Sequence, residues 1–257
     1  KAFSDNWIDV YPKKNKRDGG YCTCAYLAHP YIVINYEGKL DDVSTLIHEL
    51  GHAMHYYYAQ NFNTYEDYNY SIFVAEVASQ VNEIILTNYM LNHTDNIEEK
   101  KYILDSILQR FKATMIRQTM FAHFEDNLHN KEMNGTVLTK ELVQKEYLDL
   151  NKLYFGPNVE VDEDIKYECY RIPHFYYNFY VYQYATGYAA ALKIANDIIN
   201  KKDGALENYI KFLKLGSTLD PVKSLKVAGV DIQSPSLYDE VFKFFDEKRK
   251  ELESLYE

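Results

Sequence analysis

From Leu40 the chain reads LDDVSTLIHELGHAMHYYY, and Val43, Leu46, Ile47, Leu50 and Met54 recur at the spacing of one helical face. Asp41 or Asp42 is a suitable N-cap, so a first helix is expected to run to about residue 60. Just before it, Tyr31 to Tyr36 is an aromatic and β-branched run bounded by Pro30 and Gly38, which predicts a strand. Residues 1 to 20, with Pro12 and Gly19-Gly20, read as coil leading into a turn. After the polar stretch 61 to 69, Ser71 opens a second helix, SIFVAEVASQVNEIILTNYML, and a long third helix begins near Asp95 and stops before Gly135. Thr139 caps a fourth, which ends near Gly156-Pro157. Residues 157 to 172 are acidic and irregular. Pro173 suits the first turn of a fifth helix expected to continue to about Asn200. A sixth covers Ala205 to Leu215, and Asp220-Pro221 and Ser234-Pro235 each open another. With no repeat and no linker, residues 1 to 257 are expected to form one mainly α domain with a small β element before the first helix.

Composition narrows the partners. A net charge of -10 argues against a nucleic-acid or anionic-membrane partner, either of which needs a concentrated basic surface. No apolar run is long enough to span a bilayer. Cys22, Cys24 and Cys169 are too few for a disulfide framework, so free thiols in a reducing, cytoplasmic compartment are expected. The 26 tyrosines suit a polar cleft walled by aromatic rings, although a compositional bias of the source accounts for them equally well.

The chemistry is concentrated in His48-Glu49-Leu50-Gly51-His52. Two histidines four apart on a helix project from one face and set two imidazoles for one metal ion, with Glu49 beside them as a base; this is the H-E-x-x-H pattern of zinc hydrolases. A catalytic zinc takes three protein ligands and keeps a fourth position for water. A third histidine six residues on is excluded, because Tyr58 stands there, and with it goes the metzincin arrangement. A glutamate from the next helix is the other solution. Glu76 sits in the apolar, small-residue run Phe73-Val-Ala-Glu-Val-Ala-Ser79, where a carboxylate calls for a partner or a metal. Glu83, two turns along, is placed to orient a ligand from behind or else to face solvent. His55, one turn past His52, is expected to support the site and not to bind the ion. The strand around Tyr31, Val33 and Asn35 is a candidate edge on which an extended peptide pairs, or a plain structural strand. Glu49-x-x-His52 is also one half of a carboxylate di-iron bundle, but the second E-x-x-H of that architecture is absent.

Three segments, HPYIVINYEGKLDDVSTLIHELGHAMH, YSIFVAEVASQVNEI and RIPHFYYNFYVYQYATG, resemble the oligoendopeptidase F branch of the thimet-oligopeptidase-like zinc metallopeptidases, and the resemblance runs from WIDVY to the closing helices. It implies a helical zincin-type catalytic domain, one Zn²⁺ held by His48, His52 and Glu76, and Glu49 as the general base acting on a zinc-activated water. It implies short peptides as substrates. It also implies that His174, with one or two tyrosines from the helix it begins, stabilises the oxyanion. The candidates are Tyr176, Tyr177, Tyr180 and Tyr184, and helical register does not choose between the pair Tyr176 and Tyr180 and the pair Tyr177 and Tyr184. Members of the family are longer, with a helical N-terminal region forming the opposite wall of a channel. Nothing here matches that region, so the chain is expected to be the catalytic half, with the missing half as its partner. A related zinc carboxypeptidase, or a zinc-binding half with little activity alone, are the alternatives.

Overall fold

The computed structural model describes residues 1–257, and its central element is α1, Leu40–Phe62. This helix starts two or three residues earlier than a cap at Asp41 or Asp42 would give. Lys39 takes the cap position in extended conformation, and Asp42, in the first turn, accepts hydrogen bonds from the backbone N–H of Lys39 at 2.9 Å and of Glu37 at 2.8 Å. Asp42 thus satisfies the free amides at the helix start from the third helical position and not from the cap.

The chain folds into two compact units, one of Lys1–Ile107 with Gly187–Glu257 and one of Leu108–Thr186. In the first, a three-stranded sheet of β1 (Ile8–Asp9), β2 (Tyr21–Thr23) and β3 (Tyr31–Val33) lies against α1. Its order is β1-β3-β2, with β1 parallel and β2 antiparallel to β3. The expected strand is therefore present, but as the middle strand and not as an edge: Ile8 and Cys22 face Ile32 from its two sides. Trp7, Ile32, Ile34 and Ala53 form a buried cluster against which Leu46, Leu50 and Tyr57 pack, at the spacing of one face of α1.

The opposite side of α1 packs on α2, Ile72–His93. The two backbones meet at Gly51, where an added Cβ would stand 2.5 Å from Ser79 Cα and 2.6 Å from Ala78 O. The fully buried Val77, Ala78 and Val81 line the same stretch of α2. Small residues set this close approach; the longer apolar side chains of the periodic pattern do not, and Met54 is partly exposed. Helices α7 (Ala205–Leu213) and α8 (Pro221–Val227) pack beside α1 and α2, and α9 (Pro235–Ser254) reaches the cluster of Leu91, Ile103 and Leu104 through Leu252 and Leu255. Asp220 caps α8 by accepting from the Lys223 N–H, and proline occupies the first turn of α8 and α9, as the sequence predicts.

The helical stretch that begins with α3 (Ile97–Phe111) passes through one π-helical turn, Lys112–Ile116, into α4 (Arg117–Met133), so the long third helix forms without a break; from Leu108 on it belongs to the second unit. Thr139 caps α5 (Lys140–Phe155), and Gly156 ends it at φ 75°. Residues 163 to 171, expected to be irregular, form a 3₁₀ helix capped by Asp162. Glu168 fastens it by accepting from Tyr147 at 2.7 Å, Arg117 at 2.6 Å and Arg171 at 2.5 Å. The helix expected from Pro173 to Asn200 is divided. Pro173–Tyr177 is a short 3₁₀ turn, Asn178 and Phe179 adopt φ 49° and 55°, and α6 begins at Tyr182 and runs to Ile199. Two consecutive left-handed non-glycine residues end a right-handed helix whatever its apolar pattern.

The α1–α2 crossing leaves no space for a methyl group, so Gly51→Ala should lose about 1–3 kcal/mol of stability, read as a lower urea midpoint with an unchanged slope.

Candidate metal centre

Helix α1 presents His48 and His52 on the side that meets α2, and the Gly51 contact brings Glu76 of α2 to them. His48 Nε2 lies 3.2 Å from His52 Nε2 and 3.4 Å from Glu76 Oε2, and His52 Nε2 lies 3.7 Å from the same oxygen. Zinc bonds of about 2.1 Å to nitrogen and oxygen give a tetrahedral edge of roughly 3.4 Å. The three ligand atoms therefore occupy three corners of a zinc-sized tetrahedron, and the donor set of two imidazoles and one carboxylate suits that metal. Two of the three candidate ligands have a further polar neighbour. Glu83 Oε1 lies 3.5 Å from His48 Nδ1, and the Ser79 hydroxyl lies 3.1 Å from Glu76 Oε2. Glu83 thus lies beside the His48 ring and is not turned to solvent, while Ser79, fully buried, is a neighbour of Glu76 that no spacing rule marks.

The electrostatics follow from partial burial of several carboxylates. Burial alone pushes the His48 imidazole down, but Glu76 and Glu83 outweigh it and hold the ring up at about 10. Burial dominates at His52, which is lowered. Burial acts to raise the Glu76 carboxyl, and the hydrogen bond to His48 and the charge of His52 bring it below its ordinary value. Glu49 is buried and raised, first by desolvation and then by the negative charges of Glu76 and Glu83 against the opposing pull of His48. A carboxylate raised in this way is a better proton acceptor near neutral pH than an exposed glutamate.

The approach of β2 to Glu49 is missed by sequence reasoning. Gly20, read there only as part of a turn, stands so close that a Cβ on it would lie 3.4 Å from Glu49 Oε1 and 2.8 Å from Thr45 Cγ2. Cys22 follows on the strand, and burial, then the Glu49 charge, push its thiol up to about 12. The residues predicted on β3 fall differently. Val33 is paired on both sides, Asn35 donates to Arg17 O at 2.8 Å and Gly19 O at 3.1 Å, and the half-exposed Tyr31 packs on His29. Asn35 thus secures the turn that delivers β2, and direct pairing of a peptide on β3 is ruled out by its position in the middle of the sheet. His55 is buried and stacked on Tyr70 at 3.6 Å, with Phe212 at 5.3 Å; burial, then the nearby His52, lower its pKa to about 3, so it is a neutral packing ring.

The tyrosine segment is built within the second unit. The rings of Tyr180, Tyr184 and Tyr177 lie 5.5, 5.9 and 6.3 Å from that of His174, and the Tyr184 hydroxyl is 3.3 Å from His174 Nε2. Tyr176 is 75% exposed and stands outside this group.

A helical fold with a small sheet and a His-His-Glu centre on adjoining helices defines a zincin-like class. The chain belongs to peptidase family M3, whose model matches residues 1–244. It is 46% identical to oligopeptidase PepF of Bacillus subtilis over 99% of this chain and 38% of that protein, and 41% identical to group B oligopeptidase PepB of Streptococcus agalactiae over 99% and 42%. The crystal structure of oligoendopeptidase-F from Enterococcus faecium superposes with a TM-score of 0.77 at 42% identity, covering 84% of this chain and 39% of that one. The chain thus spans about two fifths of the length of the curated relatives it matches.

Removal of a supporting carboxylate should be felt at the metal: Glu83→Ala is expected to weaken zinc affinity by about 10–100-fold, and Glu76→Ala by more, in competition titrations against a chromophoric chelator.

Proposed function

We propose that this chain is the catalytic part of a zinc-dependent endopeptidase that hydrolyses short peptides, with Glu49 as the general base. The observation that carries the reading is the triangle of His48 Nε2, His52 Nε2 and Glu76 Oε2 at zinc-ligand spacing, with the buried Glu49 next to His48 in the helix. A zinc ion held there supplies Lewis acidity, lowering the pKa of a water and polarising the scissile carbonyl. Glu49 accepts the proton of the attacking water and returns it to the leaving amine. Its raised pKa makes it a stronger base toward that water than an ordinary glutamate.

Negative charge develops on the former carbonyl oxygen, and donors aimed at that charge stabilise the transition state more than the ground state. We assign this role to His174 with Tyr180 and Tyr184, which the ring contacts gather into one donor cluster; Tyr177 is at its margin and Tyr176 is outside it. An extended peptide is assigned to the outer side of β2, the strand that ends the sheet next to Glu49. Tyr31, Val33 and Asn35 then act through β2, one strand removed.

The matched relatives, an oligopeptidase among them, support short peptides as the substrate class. They are more than twice as long as the matched segment, which supports a further region as this chain's partner in forming the channel. No helix is long and apolar enough to cross a membrane, and the three free thiols favour a cytoplasmic setting.

Glu49→Gln should retain zinc and lose about 10²–10⁴-fold in cleavage of a quenched-fluorescent peptide; a chelator should abolish wild-type cleavage and added zinc should restore it. Full activity of the metal-loaded glutamine variant would remove Glu49 from the role of base.

A further inference from the structure

The turn between the 3₁₀ segment Pro173–Tyr177 and α6 is made from Asn178 and Phe179, both left-handed and neither a glycine. Such a pair persists only where surrounding contacts hold it. Those contacts come from one face of α4. Phe121 and Phe124 pack on Phe175 before the turn, at 5.2 Å each, and the His129 ring lies 4.5 Å from Phe179 after it. Between them on the helix, Glu125 Oε1 accepts the Phe179 N–H at 2.5 Å. Glu125 is 5% exposed, and its other oxygen, Oε2, is buried without a hydrogen-bond donor. A carboxylate kept in that setting costs desolvation that an apolar side chain would not, so packing alone does not account for it.

The consequence of the turn lies in the donor cluster. A continuous helix from Pro173 would place Tyr177, Tyr180 and Tyr184 by helical register alone. The left-handed pair redirects the chain between Tyr177 and Tyr180, and both rings then come to His174 along with Tyr184. We propose that Glu125 is a positioning residue: by fixing the Phe179 amide it holds the strained turn that assembles His174, Tyr180 and Tyr184 into one donor group. The inference rests on the hydrolase reading given above, in which that group serves the oxyanion. Glu125 itself touches no reacting atom.

The test compares Glu125→Met, which has similar length and only a weakly accepting thioether, with Glu125→Gln, which keeps a carbonyl oxygen for the Phe179 N–H. In the zinc-loaded protein, Glu125→Met should lower kcat by about 10–100-fold. KM should stay within about threefold, because the donors act on charge present only in the transition state. Glu125→Gln should remain within about threefold of wild type. Hydrogen exchange at the Phe179 amide should accelerate by tenfold or more in the methionine variant and stay slow in the glutamine variant. Thermal midpoint and zinc content should be nearly the same in all three proteins, a combination that a merely structural role would not give. Unchanged kcat in Glu125→Met, or an equal loss in Glu125→Gln, overturns the proposal. A zinc-loaded wild type that cleaves no peptide even with the further region present refutes the hydrolase reading instead, and Phe179 exchange still decides the clamp: equal rates in wild type and Glu125→Met overturn it.

Discussion

The contact of two helix backbones at Gly51 is the constraint on which the cluster of His48, His52 and Glu76 depends. Histidines at positions 48 and 52 share a helical face on any helix. A carboxylate from another helix reaches both only where the helices approach closely, and the absence of a side chain at Gly51 allows Ser79 and Ala78 to come that near. The same contact fixes Glu76, three residues before Ser79, and Glu83, two turns beyond Glu76, against the imidazoles. Packing energy is thereby converted into ligand geometry. The small, buried residues of α2 around Val77 and Ala78 are as much a part of the site as the ligands are.

Charge explains why the pocket suits a cation. Glu49, Glu76 and Glu83 face two histidines, and the shifts at His48 and His52 run in opposite directions because the carboxylates dominate at one and burial at the other. A divalent ion held by His48, His52 and Glu76 would relieve the repulsion among the carboxylates. Glu49 stays off the triangle of His48, His52 and Glu76, and its raised pKa sets it apart from Glu76, whose carboxyl is lowered.

The second unit orders its tyrosines by other means. Its core of Met120, Phe121, Phe124, Tyr147 and Leu150 is organised around α4 and α5, and the segment from Pro173 to Val181 is laid upon it. There a backbone turn, not helical periodicity, decides which hydroxyls gather at His174.

The local elements and the shared helical face of His48 and His52 are legible in the residue pattern alone. The 3.6-residue spacing made α1 and α2 legible, and Thr139, Gly156, Asp220-Pro221 and Ser234-Pro235 marked ends that depend only on neighbouring residues. H-E-x-x-H is readable because its geometry is local to one helix, and Glu76 stood out as a charge in an apolar run. Tertiary structure decided the rest. Strand order is a long-range property, so β3 became the middle strand and Gly20 and β2 came to Glu49 instead. Asp42 serves α1 from its first turn because the start of a helix depends on the entering chain as well as on the residue type. His55 is a stacked packing ring because Tyr70 and Phe212 enclose it. The apolar pattern from Pro173 predicted an unbroken helix, since periodicity carries no record of a buried glutamate 54 residues earlier that accepts the Phe179 amide. Contacts of that range exist only once the chain has folded.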